Sequence, residues 1–434
     1  MSFEKKVLFL TVGSHDVDLY KNSIRESKAH LVILFSSQSS LTTAENIKKH
    51  YENEQIQIEC YSLSDENDAW DVDKCYNFYD SVFQQIVEKG FEYKNFSIDF
   101  TYGTKAMAAA LYAIGMRYRI SVFLYSVKKS EEDNTQILKT FDASYARGLA
   151  LLDQCKHLFK AGQFAAATNI LNENAFPAKL ESLKNGIIQL ANFYTAWDRL
   201  DYKTAKECLT GMSDCSKLQQ GFDEFCVPEN VKQWVRDLAN REIKKTPRPP
   251  KNEYPELLSL EEYKENSETV LRLVIDLHAN ALRRLKANQL EDAAVRAYRI
   301  YEMLGQSFLY REGYDTACIP DNDEKVKSFI DKHNKKHAPI VALCGNRYYQ
   351  FDREKTAHFL KHLGQAGDGQ ELLEKAQNIA KLRNNGILIH GFRTLVKDQD
   401  DLKNQLDNLA NLLEKFKKSI ENADAANFIN EFIR

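Results

Sequence analysis

The first third of the chain alternates short aliphatic and aromatic runs with stretches in which apolar positions recur every three or four residues. Runs at 7–12 (VLFLTV), 31–36 (LVILFS), 56–63 (IQIECYSL), 96–102 (FSIDFTY) and 120–127 (ISVFLYSV) predict strands. Three of them are almost continuously apolar, as expected when helices cover both faces of a parallel sheet. The intervening stretches, among them 69–90 and 105–118, read as amphipathic helices. The pattern therefore predicts an α/β domain with a doubly wound, Rossmann-like sheet. A polar turn at 128–134 followed by TQILKTF predicts a last strand added at the edge through a hairpin.

From about Ser144 onward the period-two signal vanishes and helical periodicity runs to the end, so the rest is all-α. Segments 155–171, 193–209 and 281–298 each show a helix, a short polar break and an Ala-rich second helix. They read either as helical-hairpin repeats or as plain helix pairs. Residues 244–256 carry four prolines and read as a linker. The domains expected are 1–143 (α/β), 144–245 (helical connection) and 257–434 (all-helical).

Composition sets the class. With 434 residues, 43% apolar and 28% charged, the chain is long enough for two or three folded cores. A net charge of −3 supplies no global basic field, so nucleic acid must be met by a local patch, and duplex DNA is not an expected partner. The eight cysteines are scattered without the close pairs that zinc or redox motifs need, which points to reduced thiols and a cytoplasmic protein. The opening apolar run is too short for a signal segment, and no later stretch approaches about 18 apolar residues, so no membrane association is expected.

Candidate chemistry lies at two places. Residues 99–107 (DFTYGTKAM) join a strand to an Ala-rich helix, at the edge where such sheets bind ligands and where helix-start amides attract phosphate. Gly103 permits close backbone approach, Thr101 and Thr104 offer hydroxyls, and Lys105 brings charge. Ile98 stands where a Walker A loop needs its first glycine, so ATP hydrolysis is disfavoured. Polar loops 13–16 and 36–40 end the first two strands and would open on the same edge; capping of the following helices, by Ser14 or Asp16 for instance, is the competing reading. This arrangement resembles the CRISPR-associated Rossmann-fold (CARF) domain, through Thr11, Gly13 and Ser14, then Ser36, Ser37 and Gln38, then Thr101, Gly103, Thr104, Lys105 and Met107. The resemblance implies a cyclic oligoadenylate ligand bound across a dimer interface. Whether such a domain also degrades its ligand stays open.

The second place is 382–392 (LRNNGILIHGF), where Arg383 and His390 stand seven apart. On a continuous helix that spacing is about two turns, so both side chains would share a face about 10 Å apart along the axis. Cutting RNA without a metal requires proton removal from the 2′-hydroxyl, protonation of the leaving 5′-oxygen and stabilisation of phosphorane charge. An imidazole suits the first two and a guanidinium the third. With Asn384, Asn385 and the His-Gly-Phe ending, the segment resembles the signature of HEPN ribonucleases. Residues 290–306 resemble a helix of the CARF/HEPN proteins, with Arg296, Arg299, Glu302 and Gln306 expected as a buried polar stripe.

The two resemblances, in this order, are those of the CARF/HEPN ribonucleases of type III CRISPR systems. They imply a homodimer whose paired Arg/His sets line one cleft, single-stranded RNA as substrate, no cofactor or metal, and control by a cyclic oligoadenylate activator. A ligand-responsive regulator or scaffold with a protein-binding helical half is the alternative. His333 and His337, and His358 with His362, lie four apart but lack a third metal ligand and are expected on helix surfaces.

Overall fold

The computed structural model describes residues 5–13, 16–128, 136–212, 221–334, 347–386 and 394–433. The chain divides into two compact units, Met1–Asp153 with Asn174–Ser182, and Gln154–Glu173 with Leu183–Arg434.

The first unit is the expected Rossmann-like sheet. Strands β1 (Val7–Thr11), β2 (Leu31–Ser36), β3 (Gln57–Ser62), β4 (Phe96–Asp99) and β5 (Val122–Lys128) are parallel, and β6 (Gln136–Asp142) returns antiparallel beside β5. The order β3-β2-β1-β4-β5-β6 puts the reversal of winding between β1 and β4. Every residue of β1 is buried because alternate side chains enter different cores. Val7 and Phe9 face α3 (Val72–Glu88) and α4 (Lys105–Arg117); Leu8 and Leu10 face α1 (Asp18–Ser27) and α2 (Leu41–His50). Phe9 stacks on Phe83 of α3 with ring centroids 3.8 Å apart. Asp71 starts α3 by accepting from the Asp73 and Lys74 amides.

The remaining helices are α5 (Ser144–Lys160), α6 (Phe164–Glu173), α7 (Ala178–Asp198), α8 (Tyr202–Gly211), α9 (Glu229–Asn240), α10 (Leu260–Lys286), α11 (Leu290–Arg311), α12 (Glu324–Asn334), α13 (Arg353–His362), α14 (Ala366–Asn385), α15 (Gln399–Lys417) and α16 (Phe428–Phe432). The three look-alike segments of the sequence are helix pairs, α5–α6, α7–α8 and α10–α11, each with a short turn. A capping box at Ser259 and Glu262 starts α10. A small two-stranded sheet joins Ile319–Pro320 to Tyr348–Tyr349.

Helix α10 organises the second unit. Its Asp276 is fully buried, with one carboxylate oxygen accepting from Trp197 and Trp234 indole N–H groups at 3.0 Å each, and the other from the Tyr202 hydroxyl at 2.8 Å. Burial pushes this carboxyl above its ordinary pKa; Arg283 and the three donors oppose the shift. One turn further on, Asn280 and Arg283 bind Asp198 of α7, which also takes Arg284. The proline-rich stretch runs alongside: Lys244 exchanges two hydrogen bonds with Asn266, and the Thr246 N–H donates to Asp315.

No helix among the described residues is long and apolar enough to cross a membrane.

Asp276→Ala leaves two buried indoles and a phenol without their acceptor. We expect a loss of about 3–5 kcal/mol of unfolding free energy, read as a lower urea midpoint, with Asp276→Asn intermediate because it keeps one carbonyl oxygen.

Candidate ligand edge and nuclease centre

At the carboxyl edge of the sheet, the loops after β1 and β4 meet where the winding reverses. Gly13 lies so close to the other loop that a Cβ on it would sit 2.5 Å from the Gly103 backbone nitrogen. Gly103 itself has φ +86°, a left-handed conformation that suits glycine. Thr11 donates its hydroxyl to the Tyr102 carbonyl, and the Gly13 amide donates to the Tyr20 hydroxyl. Asp99, 1% exposed, ends β4 and accepts from Ser23 and from the hydroxyl and amide of Thr101. Burial raises its pKa against those donors.

Thr104 caps α4: its oxygen accepts from the Met107 amide at 3.1 Å and its hydroxyl donates to Ala69. Thr101 also accepts from the Ser126 amide. The three threonine hydroxyls therefore hold the loops in place. Helix geometry leaves the first α4 amides, those of Lys105 and Ala106, without intrahelical partners. Lys105 is exposed beside them, while Met107 is buried under Gly103. An anion could thus meet backbone N–H groups, the helix dipole and one ammonium together.

The loop after β2 continues this edge. Ser40 donates to the Val12 carbonyl at 2.9 Å, and Gln38 donates to Leu63 beyond β3 at 2.5 Å. The Ser37 and Ser39 hydroxyls lie 2.9 Å apart, and Glu66 accepts from the amide and hydroxyl of Ser39, which lowers its pKa. The Ser36 hydroxyl is buried with no partner among the described residues. Ser14 lies outside the described residues. Asp16 accepts from the Asp18 amide at 2.9 Å, but the N-cap of α1 is Val17, which makes no side-chain cap. A cavity of about 800 Å³ opens at the opposite edge, lined by Lys6, Phe96 and Val122 at the amino ends of the strands.

In the second unit Arg383 sits in the last turn of α14, half-buried, with its guanidinium 4.1 Å from the centroid of the Tyr298 ring on α11. Asn384 is exposed. The Asn385 side chain and His390 lie outside the described residues. The helix expected to carry both Arg383 and His390 is not continuous. It stops at Asn385, and Gly386 turns extended with ψ 136° while its amide bonds the Arg383 carbonyl at 3.1 Å. Two asparagines and a glycine are weak helix formers, and together they end the helix. The chain is fastened again at Leu395, whose amide donates to Glu291 at the start of α11.

The stripe on α11 is only partly interior. Arg296 bonds Asn280 and pairs with Asp292, whereas Arg299 is exposed and pairs with Glu302 at 3.0 Å. Sequence reasoning missed Tyr298, because nothing local marks one tyrosine among 21 as the support of a distant arginine. His358 lies 4.0 Å from Glu354, and His362 packs against Phe329 and Phe359. His333 and His337 fall outside the described side chains. Among the described residues no group of three His, Cys, Asp or Glu side chains could hold a metal.

Residues 263–419 match the family model of the Csm6 HEPN domain. No curated protein matches the sequence. Among solved structures the chain is similar to Enterococcus italicus Csm6 bound to cyclic hexa-2′-fluoro-hexa-dAMP, with TM-score 0.60 and 14% identity over 99% of this chain and 100% of that one. That likeness establishes the fold. Two further structures overlap at TM-score 0.24, too low to carry weight. One is a type III CRISPR defence DNA nuclease activated by cyclic oligoadenylate (13% identity, 46% of this chain, 36% of that one). The other is Can2 from Sulfobacillus thermosulfidooxidans with cyclic tetra-adenylate (12%, 62% and 68%).

Gly13→Ala forces a methyl against backbone, so the two loops must separate. We expect it to destabilise the first unit by about 1–3 kcal/mol in urea. Gly90→Ala, with φ +90° but open space around it, should cost only about 1 kcal/mol of backbone strain.

Proposed function

With a Csm6 HEPN domain over residues 263–419 and the fold of a Csm6 as premise, we propose that this chain is a cyclic oligoadenylate-activated endoribonuclease of type III CRISPR antiviral defence. One observation carries the reading. The matched domain contains Arg383, and its guanidinium lies on an aromatic face with no hydrogen bond or ion pair among the described residues. An arginine held ready but uncompensated is suited to an anionic transition state.

The chemistry assigned to the centre is phosphodiester transesterification. The ribose 2′-oxygen attacks phosphorus, its proton passing to His390; the P–O5′ bond breaks, and the 5′-oxygen takes up a proton. Arg383 stabilises the added negative charge, with Asn384 and Asn385 contributing polar contacts. Products carry 2′,3′-cyclic phosphate and 5′-hydroxyl ends, and no metal takes part. Two chains bring two Arg/His sets to one cleft, so the active species is a homodimer cutting single-stranded RNA in the cytoplasm. Residues 1–143 form the sensor, 144–245 connect, and 257–434 form the nuclease. At the sensor edge, the ligand's phosphates meet the Gly103–Lys105 turn, with Thr11, Gly13, Ser14, Ser36, Ser37, Gln38, Thr101, Thr104 and Met107 shaping the pocket. Binding there biases the pairing of the nuclease halves, a coupling that is reciprocal in free energy.

Purified chain incubated with single-stranded RNA in EDTA should cut only on addition of cyclic tetra- or hexa-adenylate. Arg383→Ala and His390→Ala should each lower the rate at least about 100-fold. Cutting that persists in the double variant, or that never occurs with any ligand, would refute the assignment.

Lys105→Ala removes one phosphate-directed charge. We expect the ligand concentration for half-activation to rise about tenfold, equivalent to about 1.4 kcal/mol, with the maximal cutting rate unchanged.

A further inference from the structure

Arg383 does not face its aromatic ring alone. Arg353, the first residue of α13, holds its guanidinium 5.7 Å from the centroid of the same Tyr298 ring. The two charge centres therefore lie within about 10 Å of each other. Neither has an acidic partner among the described residues, and the Arg353 Nη1 is buried without any hydrogen bond there.

Three costs coincide at this spot. Two cations repel at short range, more strongly where Tyr298 and neighbouring side chains exclude water. A buried guanidinium N–H without an acceptor forfeits the hydrogen bonds it had in water. Arg353 also stands in the first turn of a helix, where the positive end of the dipole disfavours a cation. Asp352 does not relieve it, because that carboxylate caps the helix through the Lys355 amide and pairs with the Lys355 ammonium. Glu354, beside it, faces His358. Anionic groups brought to the two guanidiniums offset the repulsion and the helix-end cost, and planar forks of this kind match phosphate oxygens.

We propose that Arg353 is a second RNA-phosphate-binding residue of the nuclease centre, paired with Arg383 around the Tyr298 ring, which positions both. This rests on the nuclease reading. Arg383 serves the phosphate under attack, and Arg353 holds the strand through a neighbouring phosphodiester. Tyr298 supplies the surface that keeps both forks oriented.

The test is anisotropy of a fluorescein-labelled, fully 2′-O-methylated single-stranded oligonucleotide, which lacks the 2′-hydroxyl nucleophile, titrated with the full chain across salt concentrations. Arg353→Gln should weaken binding about tenfold at low salt and reduce the slope of log K against log salt by about 0.7, one phosphate contact on a single strand. Arg353→Lys should keep the slope. In cutting assays Arg353→Gln should raise KM about tenfold with kcat within a factor of about two. Tyr298→Leu should lower kcat, and Tyr298→Phe should restore it.

A Gln variant with the wild-type slope overturns the proposal, as does a Lys variant that loses the slope equally, or a wild-type chain that does not hold the strand. Failure of the nuclease reading looks different: no cutting by wild type, while the slope still reports on Arg353. If Arg383→Ala abolishes cutting and Arg353→Gln leaves the slope intact, the proposal falls and the nuclease reading stands.

Discussion

A carboxylate with no access to water must be satisfied by the protein, and Asp276 meets that demand through side chains from three other helices. Trp197 belongs to α7, Tyr202 to α8 and Trp234 to α9, so one residue of α10 fixes the approach of all three. The Asp198 cluster repeats the constraint one turn later with Asn280, Arg283 and Arg284. Hydrophobic burial would tolerate small slides between these helices, whereas the hydrogen-bond geometry does not. The position of α10 in turn sets that of α11, joined to it by a three-residue turn in which Asn288 adopts φ +57°. Tyr298 projects from α11, so the surface that orients Arg383 is referred back to a framework fixed by buried polar contacts.

The carboxyl edge of the sheet relies on a different constraint, the contact of backbone with backbone. Gly13 and Gly103 approach until no side-chain atom fits between them, while Thr11, Thr101 and Thr104 spend their hydroxyls on fastening the turns. Hydroxyls that looked like ligand donors in the sequence are thus the fittings that hold helix-start amides and Lys105 toward solvent. For an anionic ligand this is an effective division of labour. Amides in a fixed loop need no reorganisation on binding, whereas hydroxyl rotors and flexible side chains would lose entropy.

Much of the fold was legible because its signals are local. The six strands fall within a few residues of their apolar runs, and the edge hairpin follows its polar turn. The resemblance to HEPN ribonucleases was likewise legible from a short segment, which lies within the residues that the Csm6 HEPN family model matches. What stayed hidden depends on long-range meetings. Asp276 lies in an apolar helical stretch with no sign that two indoles converge on it from 42 and 79 residues away. The same holds for Arg353 and Tyr298, whose relation to Arg383 exists only after α11, α13 and α14 have packed. Helical arithmetic over 383–390 failed for a local reason: the Asn-Asn-Gly sequence that made the motif recognisable is also a helix stop.

That stop has a chemical consequence. Were Arg383 on the same rigid helix as a catalytic histidine, their separation would be fixed by the helix pitch at every stage of the reaction. Ending α14 at Asn385 puts the arginine on the framework and gives the following segment its own anchor at Leu395, on Glu291. Arg383 therefore stands against Tyr298 at a fixed helix end, and on the proposed reading this preorganises the charge that meets the phosphate. Transition-state stabilisation by a fixed charge costs no reorganisation during the reaction, but proton transfer needs a close approach that differs between attack and departure. On the proposed reading, an arginine fixed on the framework and a histidine carried beyond the helix end meet both requirements.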